Sequence, residues 1–336
     1  MGKAGVIGAG SWGCALARVL DKNGHEVTVW SVLEDEISML REKREHTDKL
    51  PGVKLSEKII FTSDLKEAMK GMDLLVLAVP SAYTRKTAKK MASFAVPGQI
   101  IVSVAKGIEE DSLMTLTEVI KEEIPSADAA VLCGPSHAEE VGKELPTTLV
   151  AGAETRDTAE YIQGMFMNEV FRVYTSPDVL GMELGGALKT VIALAAGMAD
   201  GLGYGDNTKA ALITRGIAEI GRLAVKMGAN AETLSGLTGI GDLIVTCASR
   251  HSRNRRAGML MGKGYTMQQA MDEVKMVVEG VYSAKAAIAL GKKHQTSMPI
   301  IEQVNQVLFE DKPAKDAVME LMLRDRKAEH TSLEWE

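Results

Sequence analysis

Hydrophobic positions along this chain follow two rhythms. From residue 4 to about residue 175, short apolar runs rich in β-branched residues alternate with stretches at helical spacing. That pattern predicts a parallel sheet whose strands are joined by crossover helices. Strands are expected at AGVIG (4–8), EVTVW (26–30), LLVLAV (74–79), QIIVSV (99–104), AAVLC (129–133), TTLVA (147–151) and VFRVY (170–174). Most are nearly continuous apolar runs, as strands buried on both faces require. Helices fit between them at 11–23, 34–46, 82–93 and 112–123.

After Pro177 the spacing is helical throughout, with helices expected at 180–199, 207–227, 232–236, 238–249, 253–262, 266–272, 280–294, 297–309 and 314–322. No strand pattern follows. The chain therefore reads as an α/β half joined directly to an all-helical half, since no Pro/Ser linker or repeat separates them. A length of 336 residues suits two cores, and 46% hydrophobic with 25% charged residues is the balance of a globular protein. The start, MGKAGVIGAGSWG, lacks the basic and apolar regions of a signal peptide, so a cytoplasmic location is expected. The apolar stretch GGALKTVIALAAGMA contains Lys189 and is flanked by Glu183 and Asp200, which favours a buried helix over a membrane span. Cys14, Cys133 and Cys247 are odd in number and widely spaced, which argues for a reduced compartment without a structural disulfide.

The first strand runs into Gly8, Gly10 and Gly13, a G-x-G-x-x-G turn that opens a helix. In that setting the first glycine permits the tight turn, the second lets the backbone approach a pyrophosphate, and the third lets helix pack on strand. The N-terminal half is thus expected to be a Rossmann-type doubly wound sheet over residues 1–180, binding a dinucleotide. Residues 181–325 are expected to form the helical substrate and catalytic domain, and 326–336 a charged tail expected to fray. Between Ser31 and Glu36 stand Glu34 and Asp35 and no cation. Acidic groups there accept from ribose hydroxyls and repel a 2′-phosphate, so NAD(H) is favoured. Lys49, beside Leu50 and Pro51, leaves NADP(H) use open.

Two lysines stand in apolar surroundings. Lys106 follows a strand in VSVAKGI, at the sheet edge where ligands bind, and Lys189 lies within ELGGALKTVIALAAGMA. If they face each other, burial and like charge would lower an ammonium pKa toward the ~7–8 useful for proton transfer. The third feature is CASRHSRNRRAG (247–258), a basic run in a chain of net charge -6. With an isoelectric point near 5.7 and few aromatics among the arginines, nucleic acid is not the expected partner. Arg253 offers a planar fork for phosphate oxygens, while Arg250, Arg255 and Arg256 read as a solvated charged face.

Together GAGSWGCALA (8–17), LAVPS (77–81), VAKGIE (104–109), LCGPSHAEEV (132–141), ELGGALKTVIALAAGMADGLGYGDNTKAALITRG (183–216), LTGIGDLIVTCASRHSRNRRAG (237–258) and VVEGVYSAKAA (277–287) resemble the bacterial NAD(P)-dependent glycerol-3-phosphate dehydrogenases. The resemblance spans nearly the whole chain. It implies reversible reduction of dihydroxyacetone phosphate to sn-glycerol 3-phosphate, a phospholipid precursor. Among cofactor contacts it implies Ser11, Trp12, Lys106, Ala138, Arg253, Val277 and Glu279, beside the turn glycines. For substrate it implies Lys106, Gly134, Ser136, Lys189, Asp242, Ser252, Arg253 and Asn254, with Lys189 as proton acceptor. A homodimer is also implied. Such a reaction needs Lys189 to pass the proton, Lys106 to orient the oxygen and Asp242 to balance both charges. It needs no metal. Readings left open are another β-hydroxyacid or ketopantoate-type reductase, and a nicotinamide sensor without catalysis.

Overall fold

A computed structural model of the chain describes residues 1–326 together with Ala328 and Glu329; most of the tail expected to fray lies outside them. Eight strands form one sheet: β1 (Lys3–Ile7), β2 (Glu26–Trp30), β3 (Ile60–Thr62), β4 (Leu74–Leu77), β5 (Ile100–Ser103), β6 (Asp128–Cys133), β7 (Thr147–Gly152) and β8 (Phe171–Ser176), in the order 3-2-1-4-5-6-7-8. Helices α1 (Ser11–Lys22), α2 (Glu34–Lys43), α3 (Leu65–Met69), α4 (Thr84–Met91), α5 (Leu116–Glu123), α6 (Ala138–Gly142) and α7 (Arg156–Phe166) lie among them. Pairing is parallel except between β6 and β7, where Leu132 stands opposite Ala151 in an antiparallel ladder. The uniformly parallel sheet expected from the pattern is corrected there. The five-residue α6 climbs only ~7.5 Å. It cannot carry the chain back along a six-residue strand of ~20 Å, so β7 returns beside β6.

Sequence periodicity misses β3, α3, α6 and α7, of which three are elements of five residues or fewer. It also starts one helix too early. Leu113 takes φ +62, which no helix interior tolerates, and α5 begins only after the capping box of Thr115 and Glu118. The expected helix 34–46 stops at Lys43 because Arg44 turns left-handed at φ 50.

The second half is helical: α8 (Val179–Gly201), α9 (Asp206–Lys226), α10 (Ala231–Leu234), α11 (Asp242–Ala248), α12 (Arg253–Gly262), α13 (Met267–Val274), α14 (Glu279–Lys293), α15 (Pro299–Phe309) and α16 (Ala314–Met322). Helix α8 is long and apolar enough to cross a membrane, but 89% of its apolar window is buried at the centre of the other helices. Small residues set its closest contact. A Cβ at Gly197 would fall 2.1 Å from the Arg255 carbonyl oxygen, and one at Gly258 would fall 2.1 Å from that of Leu194. With Gly201 and Gly262 one turn further on, α8 and α12 touch backbone to backbone. This seam fixes the start of α12, with Arg253, relative to Lys189 on α8.

Candidate active site

A cleft of about 990 Å³ runs along the carboxyl ends of β1, β2, β4 and β5 and is closed on its other side by the helical half. Parallel sheets bind ligands at this edge, where helix N-termini converge. Of the residues expected at the site, all line the cleft except Gly13, Gly134 and the two expected ribose readers, Glu34 and Asp35.

The glycine turn shows why. Gly8 has φ +124, open to glycine at little cost, and Gly13 has no room for a side chain because a Cβ would lie 1.9 Å from the Gly8 carbonyl oxygen. Gly10 is different: a Cβ there meets no protein atom within 4 Å, yet the residue lines the cleft. Its lack of a side chain serves whatever enters the cleft and not the protein's own packing. Helix α1 behind it has no side-chain cap and no acidic residue in its first turn, so its free N–H groups face an incoming anion. The donor set fits a dinucleotide pyrophosphate.

At the end of β2 the structure corrects the expected ribose readers. Glu34 and Asp35 are exposed and off the cleft, Glu34 facing Arg41 at 3.4 Å. As the first residues of α2 they point to solvent, and the helical turn carries the next acid, Glu36, inward. Glu36 accepts from Ser31 Oγ, His46 Nε2 and Lys49 Nζ. Burial opposes its charge, but the His46, Lys49 and Ser31 bonds hold its pKa down at about 2.

At the inner end, Asp242 at the start of α11 joins the halves. Its Oδ1 accepts from Lys189 Nζ at 2.6 Å and its Oδ2 from Lys106 Nζ at 2.7 Å. Lys106 also donates to the Gly134 carbonyl at 2.9 Å and reaches Ser136 Oγ at 3.5 Å, so all its N–H groups have partners. Burial pushes the Lys106 pKa down, but the attraction and hydrogen bond of Asp242 lead the interactions that together raise it above the ordinary value. For Lys189, 4% exposed, burial dominates; with the repulsion of Lys106 it brings the ammonium down to about 8. The same carboxylate thus keeps one lysine charged and leaves the other ready to lose a proton near neutrality.

Thr246, which the sequence reading missed, completes the group. It accepts from Lys189 Nζ and commits its own proton to the Asp242 carbonyl at 2.6 Å. The available signal was spacing, since Thr246 stands four residues after Asp242 on one helix face. His137 was also missed: it lines the cleft, and burial with the nearby Lys189 and Lys106 holds its imidazole neutral at about 4. Nothing in the sequence marked it.

The arginine run divides. Arg253 opens α12 and lines the cleft with no ion pair among the described residues. Asn254 lines the cleft and accepts from the Gly280 N–H through its Oδ1 at 2.8 Å, so its NH₂ remains as a donor. Ser252 caps the helix by accepting from the Arg255 N–H at 3.2 Å. Arg250 and Arg256 are exposed, but Arg255 is not the solvated charge expected: it is half-buried and bonded to Asp200 at 2.6 Å. The close α8–α12 seam brings it there. Glu279 accepts from the Ser81 N–H at 3.0 Å and from its hydroxyl, a tie across the two halves.

A phosphate-receptive glycine turn facing a buried Lys–Asp–Lys group defines a nicotinamide-dinucleotide-dependent oxidoreductase. Residues 3–159 match the family model for the N-terminus of NAD-dependent glycerol-3-phosphate dehydrogenase, and residues 178–319 that for its C-terminus. The chain belongs to the NAD-dependent glycerol-3-phosphate dehydrogenase family. It is 73% identical over 335 residues to a glycerol-3-phosphate dehydrogenase [NAD(P)+] of Agathobacter rectalis, covering 100% of both chains. Identity to that of Fusobacterium nucleatum is 58%, over 98% of this chain and 99% of the relative. Among solved structures, glycerol-3-phosphate dehydrogenase from Coxiella burnetii superposes with a TM-score of 0.93 at 36% identity, covering 96% of this chain and 99% of that one.

Proposed function

We propose that this enzyme interconverts dihydroxyacetone phosphate and sn-glycerol 3-phosphate, with NAD(H) favoured over NADP(H). In this reading residues 1–180 hold the coenzyme, residues 181–325 supply catalysis and the phosphate anchor, and the working unit is a homodimer. The nicotinamide, when bound, supplies the hydride that reaches C2 of the substrate. Everything else falls to the chain's own side chains.

The observation that carries the reading is the bonding of Lys189. An ammonium has three N–H groups, and Asp242 and Thr246 take two of them. Only the third is available to a substrate oxygen. Once it has been given to the developing alkoxide, the neutral amine keeps both bonds, and its lone pair occupies the direction the proton left. That is the base the reverse oxidation requires. Thr246 cannot compete for the lone pair, because its proton is already committed to Asp242. Lys106, fully bonded and charged, stabilises negative charge on the same oxygen. Arg253, with the Asn254 amide beside it, presents donors to the phosphate at the start of a ten-residue helix.

The test is an initial-rate assay crossing NADH and NADPH with dihydroxyacetone phosphate and unphosphorylated dihydroxyacetone. NADH with the phosphorylated ketone is expected to give the highest kcat/KM. Equal use of both ketones would remove the phosphate anchor, and a higher kcat/KM with NADPH would reverse the coenzyme assignment.

A further inference from the structure

NADH and NADPH differ only at the adenosine 2′ position, and in this fold that position falls beyond the end of β2. The residues lining the cleft just after β2 are Ser31, Val32 and Leu33, none of them charged. From α2 and the loop that follows it, one carboxylate and one cation reach the cleft wall: Glu36 and Lys49. Their Oε1 and Nζ atoms are 2.6 Å apart.

The two members of the pair are held very differently. Glu36 is 8% exposed and anchored by Ser31 Oγ at 2.5 Å and His46 Nε2 at 2.8 Å, so it stays whether or not Lys49 does. Lys49 is 38% exposed, and its ammonium has Glu36 as its partner. A three-bonded carboxylate retains capacity for one more donor, such as a ribose hydroxyl.

We propose that this pair sets the coenzyme preference: Glu36 accepts from the adenosine ribose and, by holding Lys49, withholds the cation that a 2′-phosphate needs. The inference rests on the dinucleotide reading above and names the residues that make its choice. A 2′-phosphate carries about -1.5 to -2 charges. It would draw Lys49 away, but would then face an anchored carboxylate that cannot follow. Opposite consequences follow for the two residues. Removing the charge of Glu36 frees Lys49 and ends the repulsion, whereas removing Lys49 leaves the carboxylate unbalanced. Lys86 and Lys90 of α4 also line the cleft and stay constant in either variant, so the ratio of the two coenzymes isolates the pair.

The experiment measures calorimetric Kd values for ADP-ribose and its 2′-phosphorylated form, which cannot react, on wild type, Glu36→Gln and Lys49→Met. Values of kcat/KM with NADH and NADPH accompany them. Wild type should bind ADP-ribose more tightly. Glu36→Gln should move the ratio toward the phosphorylated ligand by about tenfold or more, and Lys49→Met away from it by about tenfold, the scale of one close charge contact near a protein surface. The proposal is overturned if each variant changes both ligands by the same factor, or if the ratios stay within about twofold of wild type, the ordinary scatter of such comparisons. Should Glu36→Gln not fold, Lys49→Met alone decides, since its side chain is the more exposed. If wild type binds neither ligand, the dinucleotide reading itself falls.

Discussion

Asparagine at position 242 keeps the size and one acceptor oxygen of Asp242 but removes its charge, so it isolates what the carboxylate does to the two lysines. In the native site that carboxylate is 2.6 Å from Lys189 Nζ and 2.7 Å from Lys106 Nζ. Burial and Lys106 depress the Lys189 pKa to about 8, and Asp242 opposes both. Charge-assisted hydrogen bonds contribute ~1.5–3 kcal/mol and neutral ones ~0.5–1.5, a loss of about 1–2 kcal/mol. At 1.36 kcal/mol per pKa unit that is about one unit, before longer-range attraction is counted. Lys189 should therefore titrate at about 7 or below, so at pH 7.5 the ammonium fraction falls from about three quarters to about a quarter. Ketone reduction, which needs the ammonium, would lose rate from pH 7 upward instead of from pH 8. Oxidation of the alcohol, which needs the amine, would reach its plateau at correspondingly lower pH. The assay is kcat in both directions across pH 5.5 to 9.5, read from the absorbance of the reduced nicotinamide. Wild-type and Asp242→Asn limbs that coincide, or limbs displaced to higher pH, would refute the reasoning. Stability supplies an independent sign: with the Lys189 pKa depressed further in the folded state, the unfolded chain binds more protons above pH 7, and the variant's stability must rise with pH there.

Gly10→Ala and Gly13→Ala should separate ligand binding from folding. The first adds a methyl that meets no protein atom and should lower NADH affinity at an unchanged Tm; the second drives a Cβ to 1.9 Å from the Gly8 oxygen and should lower Tm sharply. Arg253→Ala should raise KM for dihydroxyacetone phosphate more than tenfold, about the loss of one charged hydrogen bond, and by a larger factor than any change in KM for NADH. Glu219 caps the start of α15 through the Ile300 N–H at 2.9 Å, and burial raises its pKa to about 7. Its protonated form favours the fold fully below pH 4.5, and that advantage is lost as pH rises through 7, a change of ~3 kcal/mol at 1.36 per unit. Glu219→Gln should flatten this slope in urea titrations at pH 5 and pH 8; an unchanged slope would show that another group carries it.

Much of the fold was legible because its signals are local. Strand runs, helical spacing and the Gly8–Gly10–Gly13 turn each state a backbone preference within a few residues, and Lys106, Lys189, Asp242 and Arg253 stand in distinctive segments. Short elements escaped for the same reason: β3 has three residues and α6 five, too few to show a period. The direction of β7 was not local either, since it depends on how far α6 can carry the chain.

The amino-acid sequence by itself determined the two-part architecture, the dinucleotide turn and the identity of the chemical groups, because periodicity and residue type are properties of neighbours along the chain. Tertiary structure alone decided which groups meet and in what charge state. Asp242 is 136 residues from Lys106 and 53 from Lys189, and only their common burial makes one lysine keep its proton while the other can release it. In the same way, the helical twist of α2 decided that Glu36, and neither Glu34 nor Asp35, faces the cleft beside Lys49. Electrostatic free energy depends on distance and burial, and neither can be read from spacing in the sequence.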